Sequence, residues 1–217
     1  MQERPIVEGI LIFMASSDIY KTIKSVSHGL FKEKGSKFVS IAFRVKNEGE
    51  IKMFLDEIRK EHHDAKHHSY AYAIGVDGAT WRANDDGEPS GTAGRPILGQ
   101  IRSFGLTNVL VIVPRYFGGT LLGTSGLINA YKSAAGSALS NAEIIDHVMQ
   151  QKCDLIFPYL AMNDVMKIIK DGDIAQSAPS FGLECRLTVY IRLSETEKIR
   201  AKLSRIEGLK INLLEVE

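Results

Sequence analysis

The chain has 217 residues, of which 44% are apolar and 24% charged, the balance of an ordinary soluble globular protein with room for one large or two small domains. Its net charge of +1 excludes a global field that would drive it onto nucleic acid or membrane. Divided at 149/150, it holds 17 basic against 16 acidic residues, then 10 against 10. No apolar run reaches the roughly 18 to 20 residues that span a bilayer, so no membrane partner is expected. Two cysteines, Cys153 and Cys185, are too few for a disulfide framework. A cytoplasmic location follows as the simplest reading. Val7 to Ala15 is apolar but short, and Glu3 and Glu8 stand where a signal peptide carries basic residues. Met14 reads as a natural start, with residues 1–13 as an extension of the gene.

The most basic segment is 20–46, with seven Lys/Arg and one acid, Glu33. Phe38 to Val45 predicts a strand, Ser25 to Lys32 a weaker one before it, and Glu33 to Ser36 the turn between them. Lys34 and Lys37 then sit on a hairpin that fits RNA phosphates, or that uses lysine to protect a sheet edge. Asn47 to His63 follows as an amphipathic helix, with Ile51, Phe54, Leu55 and Ile58 on one face and Asn47 and Glu50 as a capping box. The histidines at 62, 63, 67 and 68 lack rigid ligand spacing. They read as strand-end residues, and no metal site is assigned.

Ser69 to Val76 alternates Tyr70, Tyr72 and Ile74 against Ala71, Ala73 and Gly75, the pattern of a strand. Asp77-Gly78 turns it back into Thr80 to Ala83 and delivers the chain to Asp85, Asp86 and Glu88. Three carboxylates in four residues suit a divalent cation, acid/base chemistry, or a structural turn in which they satisfy loop amides. In the last reading Ser90 or Thr92 caps the next helix. No nucleophile stands beside a base, so no catalytic residue is assigned.

Asn108 to Val113 is an uninterrupted run fitting a strand buried on both faces. Arg115 and Tyr116 follow, then Gly118-Gly119 and a small-residue helix from about Thr124 to Leu139. Arginine beside a glycine turn and a helix N-terminus suits an anion. The spacing is neither a P-loop nor a dinucleotide fingerprint, so no cofactor is assigned. Asn141 to Gln150 reads as a hinge. Beyond it, strand, helix, strand, strand, helix and strand (Lys152–Phe157, Tyr159–Lys170, Ile174–Ser177, Leu183–Leu193, Glu195–Ile206 and Ile211–Val216) give a ferredoxin-like βαββαβ order. Ser194 is the expected cap of its second helix, and both cysteines fall in strand patterns.

DDGEPSGTAGRPIL and RYFGGTLLGTSGL together resemble the signature of the YigZ/IMPACT family, and the resemblance runs from about Met14 to the end of the chain. Where the family often has a cysteine after paired histidines, Ser69 follows His67-His68, so no thiol is expected there. The resemblance implies an α+β protein of two domains: a ribosomal-protein-S5-domain-2-like α/β domain at 15–145 and a ferredoxin-like domain at 150–217. It also implies an arrangement similar to the last two domains of elongation factor G, which contact ribosomal RNA. Eukaryotic members are linked to control of translation initiation through a protein partner.

The expected function is thus a non-enzymatic, translation-associated protein that binds RNA, the ribosome or a translation-regulatory protein. Its expected surface comprises Asp85, Asp86, Glu88, Arg95, Arg115, Tyr116, Gly118 and Gly119, with Lys34 and Lys37 as secondary contacts. Replacing Arg115 by Ala is expected to weaken binding without unfolding the domain. Two other classes fit the same residues. One is a metal-assisted hydrolase or transferase with Mg²⁺ on the acidic loop and phosphate at the glycine-rich helix start. The other is a protein-interaction module using the second domain's sheet.

Overall fold

The computed structural model describes residues 18–180, 182 and 184–216. The expected start at Met14 and the first residue of the expected Leu183–Leu193 strand lie outside the described residues. The chain divides into two compact units, one formed by Ile19–Val148 and another that holds Met149–Glu217. Both are mixtures of helix and sheet, so the protein is α+β.

In the first unit, β1 (Ile19–Ile23) is followed by β2 (Ser27–Glu33) and β3 (Ser36–Arg44), then α1 (Glu48–Glu61), β4 (His67–Ile74) and β5 (Thr80–Asn84). Next come α2 (Gly94–Ser103), β6 (Val109–Tyr116), α3 (Gly123–Ser140) and β7 (Ile144–Val148). Five strands form one antiparallel sheet in the order β2-β3-β6-β4-β5. The apolar run of β6 occupies its centre, which is why residues 109–113 show no alternation in the sequence: all are buried.

Alternate residues still serve different layers. Val109, Val111 and Val113 join Ala71 and Ala73 beneath α2 and α3. Leu110 and Ile112 join Tyr70, Tyr72 and Ile74 beneath α1. The small residues of α3 let it lie almost on the sheet: Ser27 and Ser40 donate hydroxyl hydrogen bonds directly to the Ala138 and Ala134 carbonyls. The capping box of α1 is real but offset by one residue. Asn47 accepts the Glu50 amide, while Glu50 reaches back to the Lys46 amide.

Residues 141–150, expected as a hinge, instead contain β7. It pairs antiparallel with β1, a strand the sequence reading missed, from Ile19 opposite Val148 to Ile23 opposite Ile144. Both are short and only partly buried, so neither leaves a strong periodic signal.

The second unit runs β8 (Gln150–Phe157), α4 (Met162–Asp171), β9 (Ala175–Gln176), β10 (Cys185–Arg192), α5 (Thr196–Leu203) and β11 (Lys210–Val216). Its sheet order, β11-β8-β10-β9, is the ferredoxin-like arrangement. Cys153 and Cys185 are buried with Leu155, Leu187 and Val165 in its core. Ser194 does not cap α5: its amide and hydroxyl both donate to the Asp18 carboxylate.

Candidate functional site

Two turns and one buried ion pair build the site. The first turn follows β5. Asp86 and Gly87 both have positive φ (48° and 84°), and the Glu88 amide closes the turn on the Asp85 carbonyl. This fold-back aims the three carboxylates at three different targets. Asp85 accepts the amides of Gly91, Ala93 and Gly94, so α2 is capped by a residue well upstream. Neither expected cap acts: the Thr92 hydroxyl bonds the Pro89 carbonyl, and Ala93 at the cap position contributes no side-chain bond. Partial burial pushes the Asp85 carboxyl up. The three amides, with Arg95 adding its charge, outweigh that and hold it below the ordinary carboxylate value.

Asp86 accepts the His68 amide at 2.6 Å and lies 3.8 Å from the Arg59 guanidinium. Glu88 turns inward. Its Oε1 accepts from Arg115 Nη1 at 2.6 Å and from the Tyr131 hydroxyl at 2.8 Å. The carboxylates therefore do not converge on a common point as Mg²⁺ requires. Among the described residues, no group of three His, Cys, Asp or Glu is placed to hold a metal ion.

Arg115 is only 6% exposed, so it is a buried group and not the free surface cation the sequence suggested. Its guanidinium lies 5.4 Å from the Phe38 ring centre and 5.7 Å from that of Phe117. Its Nη1 is taken by Glu88, while its Nε–H is buried without a hydrogen-bond partner. Burial raises the Tyr131 phenol strongly and Glu88 adds to it, which keeps the hydroxyl a donor to the carboxylate.

The second turn follows β6. Gly118 packs against the tip of the β2–β3 hairpin so closely that a Cβ there would stand 1.9 Å from the Gly35 carbonyl carbon. The Gly118 amide donates to Ser36 Oγ. The hairpin tip itself is Lys34-Gly35, both at positive φ (45° and 79°), the two-residue turn that β-hairpins favour. Past Gly119 the chain enters α3 with no side-chain cap and no acidic residue in its first turn.

A pocket of about 350 Å³ opens between these parts. Glu88, Arg115 and His67 supply its polar lining, with Lys66 and Thr124 also present. Phe117, Leu121, Leu122 and Leu127 form an apolar wall. His67 Nδ1 lies 2.8 Å from the Asp86 carbonyl. A carbonyl only accepts, so Nδ1 carries a proton; Nε2 lies 3.9 Å from Glu88 Oε1.

The structure thus brings Glu88 to Arg115 with Asp86 in the same turn, places Gly118 against the β2–β3 hairpin tip, and sets Asp85 and exposed Arg95 beside the start of α2. Tyr116 departs from this group. It is next to Arg115 on β6 and points to the other face, where its hydroxyl meets His62 Nδ1 at 2.7 Å. There the Lys37 ammonium lies 5.5 Å from its ring centre. Sequence reasoning missed His67, Phe117 and Tyr131 as site residues. A lone tyrosine in an Ala/Gly/Ser-rich helix was the available signal for Tyr131, but its partner is visible only in three dimensions.

The fold and this edge define a two-unit α+β protein whose first unit carries a lined pocket at a helix start. Residues 34–139 match the model of the Impact N-terminal domain. The IMPACT family member YvyE of Bacillus subtilis is 29% identical over 199 residues, 91% of each chain. YigZ of Escherichia coli is 30% identical over 188 residues, 85% of this chain and 91% of its own. The protein belongs to the IMPACT family. The crystal structure of a hypothetical protein superposes with a TM-score of 0.67 at 26% identity, over 91% of this chain and 98% of its own.

Proposed function

We propose that this is a translation-associated binding protein whose first unit engages RNA phosphates, free or on the ribosome. The observation that carries the reading is the continuity of one edge. The Gly35–Gly118 contact joins the hairpin tip that carries Lys34 to the turn before the uncapped start of α3, while Lys37 lies on the opposite face beside Tyr116. A lysine at a hairpin tip and helix amides without a side-chain cap are donors suited to a sugar-phosphate backbone. The resemblance to translation-linked members of the family supports the same reading. The metal-assisted alternative loses its support, because the acidic loop spends its carboxylates on amides and arginine.

Co-sedimentation with ribosomes and with single-stranded RNA at low and moderate salt tests it. Binding should weaken as salt rises. The double variant Lys34→Ala/Lys37→Ala, altering two exposed side chains, should reduce the salt slope by about two with the fold intact. No binding at low salt would overturn the proposal.

A further inference from the structure

The charge of the chain is balanced overall and unbalanced in one layer. Lys and Arg number 27 against 26 Asp and Glu, yet residues 89–142 contain no acid and hold Arg95, Arg102, Arg115 and Lys132. That stretch supplies α2 and α3, which lie on one face of the five-stranded sheet. They approach so closely that a Cβ on Gly136 would stand 3.0 Å from Gln100 Oε1. With Arg115 buried, Arg95, Arg102 and Lys132 are the cations this layer presents. Gly99 and Ser103 are exposed beside the two arginines on α2, and Ser125 and Asn129 precede Lys132 at helical spacing on α3. The second observation lies at the end of α2. Trp81 stands opposite Ala73 and so faces the same layer. It is 51% exposed, with the Arg102 guanidinium 4.8 Å from its ring centre. Arg102 also joins Lys21 on the lining of a pocket of about 400 Å³ beside the β4–β5 turn.

These features favour one class of partner. A protein interface is built around an apolar core, and among the described residues α2 and α3 expose Ile128 as their one large apolar side chain. An extended phosphate chain needs no such core. It needs cations at intervals, small neighbours that let its backbone approach, and aromatic or guanidinium planes for its bases. We propose that the outer face of α2 and α3, with Trp81 at its end, docks single-stranded RNA. Phosphates lie along Arg95, Arg102 and Lys132, and an unpaired base stacks on the Trp81–Arg102 pair. The inference rests on the RNA-binding reading of the first unit and gives the strand a second set of contacts, separate from the Lys34 hairpin tip. Stacking on an indole tolerates any base and phosphate contacts carry no sequence information, so sequence preference should be weak.

The test titrates the full chain with a labelled single-stranded oligoribonucleotide at low salt, read by anisotropy of the label and by emission of Trp81, the only tryptophan. The expected result is that Trp81 emission is quenched over the same concentrations at which anisotropy rises. Arg95→Gln/Lys132→Gln alters two exposed side chains and leaves Trp81 its Arg102 partner. It should lower the salt slope by about 1–2. Trp81→Ala should weaken binding about tenfold. Quenching that persists in Lys34→Ala/Lys37→Ala would support this face and remove the hairpin from the contact. A rise in anisotropy with Trp81 emission unchanged and both of these variants neutral would overturn the inference, leaving RNA binding on the hairpin tip. No rise at low salt would overturn both readings. Polyglutamate that quenches Trp81 and competes as well as the oligonucleotide would overturn the choice of RNA in favour of an acidic polypeptide.

Discussion

Arg115 and Glu88 form the ion pair on which the first unit's site is built, and removing one partner has a calculable consequence. Their side chains are 7% and 3% exposed, with 2.6 Å between Nη1 and Oε1. Arg115→Met keeps much of the stem that packs near Phe38 and Phe117 and deletes the charge, leaving a buried carboxylate with the Tyr131 hydroxyl as its remaining hydrogen-bond donor. Breaking such a pair on one side costs about 3–5 kcal/mol, a large part of the roughly 5–15 kcal/mol that holds a domain folded. With a urea dependence of about 2 kcal/mol per molar, the midpoint should fall by about 1.5–2.5 M. Trp81 is the only tryptophan and lies on β5, so its fluorescence follows the first unit alone. Adding Glu88→Gln removes the stranded charge while retaining an acceptor for Tyr131, and should recover a substantial part of the loss. A midpoint shift below about 0.5 M for Arg115→Met, or a double variant no more stable than the single, would refute the reasoning.

Three other outcomes follow from the same geometry. Gly118→Ala forces a Cβ into the Gly35–Ser36 backbone and should cost about 1–3 kcal/mol in urea unfolding; a neutral result would mean the two turns do not touch. Asp85→Asn should cost about 1 kcal/mol at neutral pH as a weakened helix cap. The Asp85 carboxyl is held below its ordinary value near 3.8. Its contribution is therefore complete above that pH and lost as acidification passes through the lower folded value, so the variant should show a shallower stability loss below about pH 4 than the wild type. Cys153 and Cys185 are 1% and 0% exposed, and burial, with Asp154 adjacent, pushes the Cys153 thiol up. Neither should react with an aromatic disulfide reagent until the second unit opens, and labelling of the native protein within minutes would contradict that burial.

Most of the fold was legible because its signals are local. The buried run at Val109–Val113 and the alternation of β4 follow from side-chain periodicity, and the Lys34-Gly35 turn from its glycine. Weak signals failed where tertiary contact decides. β1 and β7 are five residues each and form only because each finds the other across the unit. Ser194 carries the residue type of a helix cap, but Asp18 takes its donors first. The site was legible as a set of residues and not as an arrangement. Acidic loop and arginine do meet, through Glu88, but burial turns the supposed surface cation into a structural one, and the alternation of β6 sends Tyr116 to the opposite face.

The pairing of Ile19 with Val148 sets the two ends of the first unit side by side, at the spacing of neighbouring strands. A segment whose ends adjoin can have its sequence order rewired. A short linker could join the old ends, and new ones could open at the exposed turn around Gly78, as tolerated circular permutations do. An excised piece would have to run from 19 to 148, because stopping at 145 deletes Asp146–Val148 and leaves Ile19–Lys21 without their ladder. The same pairing closes the longest loop in the unit, so it carries the largest loop-closure entropy there.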